Sequence, residues 1–111
     1  MDTELLKGTL SLLILSLLTR KPMYGYEIAA TVHRDTDGAF NWREGSLYPS
    51  LHKMQAEGLI VGAWEEKESG RKRRYYDLTK KGREALREKM KAWNALCEAV
   101  NCILEKTDGQ A

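Results

Sequence analysis

Apolar residues recur at helical steps through the first third of the chain. In "LLKGTLSLLILSLL", Leu5, Leu6, Leu10, Leu13, Leu17 and Leu18 predict a helix over residues 4–19. Gly8 inside it points to close approach by another backbone. Pro22 in "RKP" ends it, because proline disfavours helical backbone at the preceding Lys21. A second helix is expected from about Gly25 to Asp35, with Ile28, Ala29 and Val32 inward, and "DTDGAFNW" reads as a turn leading into a short extended piece. Leu47, Leu51 and Met54 then predict a third helix from about Ser46 to Glu57. With Ser46 as N-cap, Pro49 becomes the third helical residue, in the turn whose amides have no intrahelical partner. Gly58 ends this helix as a left-handed cap would.

Beyond Gly58 the pattern becomes that of strands. "LIVGAWEE" (Leu59 to Glu66) and "RRYYDL" (Arg73 to Leu78) flank the polar "KESGRK", so the unit reads as a β-hairpin with a mobile tip. "TKKGREALREKMKAWNALCEAVNCILEK" reads as a long helix from about Thr79 to Lys106, roughly 40 Å at about 1.5 Å per residue. The tail "TDGQA" is expected to fray. No repeat, low-complexity segment or linker interrupts this order. The fold class is therefore mostly α with a small β-hairpin: a winged helix-turn-helix over residues 1–78, then a C-terminal dimerisation helix with a short tail over 79–111.

The outer face of the third helix is oddly composed for a solvated surface. It shows hydroxyls, an imidazole, an amide and an amine, and its only carboxylate, Glu57, comes at the far end. A DNA groove lined with acceptors and flanked by phosphates favours such donors. Ser46, Tyr48, Pro49, His52 and Lys53 are the candidate contacts, with Lys53 the first choice for a base edge or phosphate. Tyr48 has an alternative role packing on the second helix. From Lys67 to Arg74 the hairpin carries Lys67, Arg71, Lys72, Arg73 and Arg74 against Glu68 alone. Charged edge-strand protection would explain some of this, but mixed signs would serve it better. Arg71 and Lys72 are the first candidates for phosphate or minor-groove contact, with Arg73 next; Arg74 shares a strand face with Tyr76 and Leu78 and is the weaker candidate. In "MYGYEI", Gly25 would let a sugar-phosphate backbone come close to a helix N-terminus, beside Tyr24; Tyr24 and Tyr26 serve equally well as scaffold.

On the last helix, Leu86, Met90, Trp93, Cys97, Val100 and Leu104 alternate steps of four and three, the seam of a coiled-coil-like pairing, and Leu96 and Ile103 widen it. The first helix is too short to cover the distal half, which favours a second copy of the chain. Trp93, central in the seam, either packs there or lines a pore that accepts flat, apolar compounds.

At 111 residues the chain is one modest domain, and a formal net charge of +2 makes the placement of charge more telling than its sum. The apolar run Leu10 to Leu18 is about half the ~20 residues of a bilayer span. "MDTELLKG" lacks the features of a signal peptide, so a cytoplasmic location with no membrane partner is expected. Cys97 and Cys102 fit that setting as free, buried thiols. His33 and His52 have no cysteine or carboxylate cluster to complete a metal site. No nucleophile–base pair or phosphate-binding glycine loop is visible, so neither enzyme activity nor a cofactor is expected.

"LLKGTLSLLILSLL", "MYGYEI", "GSLYPSLHKMQAEGLI" and "GRKRRYYDLTKKGREAL", in this order and spacing, resemble the PadR family of transcriptional regulators, most closely its short-chain, multidrug-responsive repressors. The resemblance extends to about residue 90. It implies a homodimeric repressor on a palindromic double-stranded operator, paired through the C-terminal helix and controlled by a small effector or by stress. A planar aromatic compound beside Trp93 is the effector that the multidrug-responsive members suggest. Lys72 stands where the family's wing often has proline, which bears on the wing's rigidity. Two other readings remain open: a winged-helix module that binds protein, and a small-molecule sensor dimer with secondary DNA binding. A negative third helix and a neutral wing would suit the first, and the chain shows the reverse.

Overall fold

A computed structural model describes residues 8–108. The expected helix start at residues 4–7, with Leu5 and Leu6, and the tail residues 109–111 lie outside the described residues. The elements run α1 (Leu10–Leu18), β1 (Met23–Tyr24), α2 (Gly25–Asp35), α3 (Glu44–Ala56), β2 (Ile60–Glu66), β3 (Lys72–Leu78) and α4 (Lys80–Asp108). This is a winged helix-turn-helix carrying a long C-terminal helix.

The core forms where the apolar stripes of the first three helices converge on the inner face of the sheet. Ile14, Leu15 and Leu18 of α1 meet Ile28 and Val32 of α2, Leu47, Leu51 and Met54 of α3, and Ile60 and Tyr76 of the hairpin. Burying such side chains contributes roughly 1.5–3 kcal/mol each, which is what holds three short helices together. Gly8 has open space where a Cβ would sit, so among the described residues no backbone makes the close approach expected there. Arg20 at the end of α1 donates to Asp35 at the end of α2 at 2.7 Å.

The helix-turn-helix link carries two left-handed residues, Asp37 (φ 50°) and Gly38 (φ 80°). Residues 40–43 join no sheet, but the stretch ends extended at Arg43 (φ −100°, ψ 158°), and Phe40 packs edge to face on the core residue Trp42, ring centres 6.1 Å apart.

α3 begins earlier than its sequence suggests. Its N-cap is Arg43 rather than Ser46, and the Ser46 and Leu47 amides both donate to the Arg43 carbonyl. Pro49 is therefore in the second turn, where its missing N–H leaves the Gly45 carbonyl without a helical donor. Gly45 is exposed, so that carbonyl can turn toward solvent at small cost. At the other end the expectation holds. Gly58 (φ 79°) is left-handed, its amide donates to the Gln55 carbonyl, and Leu59 donates to the Met54 carbonyl at 2.9 Å.

The sheet is antiparallel in the order β1-β3-β2, one strand more than the expected hairpin. Met23 pairs with Tyr76 and Tyr24 with Tyr75, so the start of α2 is bound to the wing's inner strand. The wing tip is a closed turn: Lys67 donates to the Arg71 carbonyl and Gly70 to the Lys67 carbonyl, each at 2.8 Å.

α4 is capped by Thr79, whose hydroxyl accepts from the Gly82 amide at 3.0 Å and lies 2.6 Å from the Gly58 carbonyl. A Cβ on Gly82 would collide with the Leu59 carbonyl, so the end of α3 and the start of α4 are locked together. The helix continues to Asp108, two residues beyond the expected Lys106, and gives the chain a long dimension of 62 Å. No described helix is long and apolar enough to cross a membrane.

Candidate nucleic-acid interface

α3 buries Leu47, Leu51 and Met54 and exposes Ser46, Tyr48, Pro49, His52 and Lys53. The register of the first set determines the outward direction of the second, since residues three and four apart share a face. Ser46 lies inside the first turn of α3 and is exposed, and the N-cap position is taken by Arg43, whose side chain makes no capping bond.

Tyr48 leans onto the start of α2. A Cβ added to Gly25 would lie 3.1 Å from the Tyr48 ring and hydroxyl. Gly25 is buried beneath that ring, so its missing side chain first makes room for a tyrosine of the same chain.

The wing's cations divide into two groups. Arg71 and Lys72 are exposed at the tip. Lys67, Arg73 and Arg74 are tied to other parts of the chain. Arg73 donates to the Tyr26 hydroxyl at 3.1 Å, and its guanidinium carbon lies 5.2 Å from the Tyr26 ring centre and 5.9 Å from that of Tyr24. The two rings are stacked, 5.6 Å apart. Lys67 sits 5.0 Å over Tyr24 and pairs with Glu65 at 3.3 Å, while the Tyr24 hydroxyl donates to Glu65 at 2.8 Å. The Tyr24 hydroxyl and then Lys67 hold the Glu65 carboxyl below its ordinary value; Tyr24 and then Glu65 push the Lys67 ammonium up. Arg74 turns to the opposite face, as alternation along a strand requires, and donates to Gln55 on α3 at 2.9 Å.

Between α3, the start of α2 and the wing lies a groove of about 660 Å³. It brings together six expected residues, Tyr24, Gly25, Tyr48, His52, Lys72 and Arg73. Ser46, Pro49 and Arg71 do not line it, and Lys53 lies on another flank of α3, in a hollow shared with Leu10 of α1 and Lys89 of α4. Arg74, the weaker of the wing candidates, also lines the groove, as does Trp64, for which no contact was expected. The inward turn of Arg74 was readable from strand alternation, but its partner Gln55 carries no signal in the sequence. Arg43, exposed at the N-cap of α3, is a further cation beside this face. Phenols, an imidazole, an indole and guanidinium groups in an open groove suit a phosphate backbone and its sugars, through charge-assisted hydrogen bonds and ring packing.

On α4 the seam residues differ in burial. Leu86 is 8% exposed and belongs to the core of its own chain, so it is already packed. Met90, Trp93, Val100 and Leu104 are exposed, together with Leu96 and Ile103, and Cys97 is half-buried. Both cysteines are free; Cys102 is exposed rather than buried as expected. Among the described residues no group of three or more histidines, cysteines or carboxylates is placed to hold a metal.

Residues 14–88 match the family described as Transcriptional regulator PadR-like. A transcriptional regulator from Clostridium thermocellum superposes with a TM-score of 0.84 at 27% identity, over 91% of this chain and 95% of that one. A PadR family transcriptional regulator from Eggerthella lenta superposes with a TM-score of 0.81 at 35% identity, over 92% of this chain and 87% of that one. The transcriptional regulator YqjI of Escherichia coli is 35% identical over 81 residues, spanning 73% of this chain and 37% of YqjI.

Proposed function

The chain belongs to the PadR-like family of transcriptional regulators, and from that premise we propose that it is a homodimeric repressor that binds a palindromic operator. Residues 1–78 form the DNA-binding unit and 79–111 the pairing unit. α3 enters the major groove, Ser46, Pro49 and His52 facing it, with Lys53 set to one side on the flank toward α1 and α4, while Arg71 and Lys72 at the wing tip reach the neighbouring phosphates or minor groove. Tyr24, Gly25, Tyr48 and Arg73 border the backbone that passes between them.

One observation carries this reading: an exposed helix face rich in donors stands beside a wing whose tip cations are exposed, with a groove of about 660 Å³ between them. Pairing rests on the exposed apolar stripe of α4, which would leave Met90, Leu96, Val100 and Ile103 in water in a lone chain. Two such units fixed about 34 Å apart would read successive half-sites on one side of the duplex. Trp93, 42% exposed within that stripe, supports an effector role for a planar aromatic compound seated between subunits.

In vitro selection with the purified protein tests the proposal. An inverted repeat among the recovered sequences is the expected result; a single unrepeated site, or no enrichment, would refute the dimeric operator reading.

A further inference from the structure

The inner face of the wing carries a cation held away from its tip. Arg74 pairs across the hairpin with Trp64, and its side chain runs back over Gly62. A Cβ on Gly62 would lie 2.5 Å from Arg74 Nε, so the guanidinium fills space that only glycine leaves open. Two rings flank it: its central carbon lies 5.7 Å from the Trp64 ring centre and 5.9 Å from that of Tyr76. Its Nη2 donates to Gln55 Oε1 at 2.9 Å, and Gln55 lies in the last turn of α3. Its Nε is buried and has no hydrogen-bond partner among the described residues. A guanidinium held at that cost, between aromatic faces, occupies a specific seat rather than sampling the surface.

The other tethers of the wing lead elsewhere. Arg73, Lys67 and Glu65 bind Tyr24 and Tyr26, at the start of α2. Among the described residues, Gln55–Arg74 is the one side-chain hydrogen bond that joins the wing directly to α3. We propose that Arg74, although it lines the groove, is a positioning residue: its bond to Gln55, clamped by Trp64 and Tyr76, sets the separation and angle between α3 and the wing tip, and it acts through that bond rather than through a phosphate contact of its own. This rests on the interface assigned above and adds a determinant of operator preference to it. A duplex fits only where the groove-to-phosphate spacing matches the gap, so a slack strut costs more on the operator than on arbitrary sequence.

Two variants separate this role from a plain charge contact. Arg74→Gln removes the cation, whereas Gly62→Ala keeps it and drives the guanidinium from its seat. Affinity is measured across a salt series for the inverted-repeat duplex recovered by selection and for a scrambled duplex of the same composition, with thermal unfolding recorded in parallel. Both variants should remain folded and lower the selected-to-scrambled affinity ratio about tenfold, with the slope of log K against log salt unchanged. Combining Gln55→Leu with Arg74→Gln should be no worse than either alone. A slope shallower by about 0.9 in Arg74→Gln, with equal loss on both duplexes, would make Arg74 a phosphate contact and overturn the strut. An unchanged ratio in both variants would overturn it too. A wild-type protein that selects no sequence would instead bring down the interface assignment on which the strut depends.

Discussion

Tyr48 on the third helix closes over Gly25 at the start of the second, its ring 3.1 Å from where a Cβ would sit. The contact joins the two helices of the helix-turn-helix at the edge of the groove between α3, the start of α2 and the wing. The ring is exposed on its other side, so it can yield outward by the few tenths of an ångström a methyl group demands.

Gly25→Ala should therefore leave thermal stability nearly unchanged, within about 1 kcal/mol, because better helix propensity offsets the crowding. Operator affinity should fall several-fold as Tyr48 is displaced toward the duplex. Parallel thermal unfolding and anisotropy titrations check this, and equal loss in both would mean that Gly25 acts only in folding.

Gly82 contrasts with Gly25, since a side chain there meets the Leu59 carbonyl rather than a movable ring. Gly82→Ala should destabilise by about 1–3 kcal/mol, measured by urea unfolding, as the lock between the end of α3 and the start of α4 is forced apart.

At the wing tip, replacing Arg71 and Lys72 together by glutamine should weaken operator and scrambled duplexes alike and make the salt slope shallower by roughly 1.8. Salt-dependent anisotropy gives the number. An unchanged slope would remove the tip from the interface.

Glu65 and Lys67 dock the wing on Tyr24 and give it a pH signature. The Glu65 carboxyl titrates below its ordinary 4.5, so its contribution is complete above 4.5 and is lost as pH falls through the lowered value. The Lys67 ammonium titrates above its ordinary 10.5, so its contribution is complete below 10.5 and is lost as pH rises through the raised value. Glu65→Gln should lower the unfolding midpoint by a small, near-constant amount between about pH 5 and 10, and the difference should close in acid. A difference that widens in acid would contradict this docking.

The order of helices and hairpin was legible because each buried stripe keeps a clean period: Leu47, Leu51 and Met54 face the core as their spacing requires. The boundary of α3 was not. Ser46 is a better cap by residue type than Arg43, yet the helix starts at Glu44 and accommodates Pro49 in its second turn. The short strand Met23–Tyr24 is not legible in the sequence because two residues carry no period; its existence depends on pairing with Tyr75 and Tyr76, some fifty residues away. For the interface, the sequence displayed which groups could bind DNA but not which were engaged within the chain. Arg71 and Arg73 look equivalent in "GRKRRYY", and only the fold ties Arg73 to Tyr26 while leaving Arg71 exposed. Lys53, the first choice for a base contact, lies outside the groove because it is on the flank of α3 that faces α1 and α4.

Amide hydrogen exchange with and without the selected duplex tests the central claim most directly. DNA should slow exchange at the start of α2, along α3 and across the wing tip from Lys67 to Arg73, with the distal half of α4 unchanged. Protection confined to α4, with α3 and the wing exchanging as in the free protein, would contradict the assignment of this face to DNA.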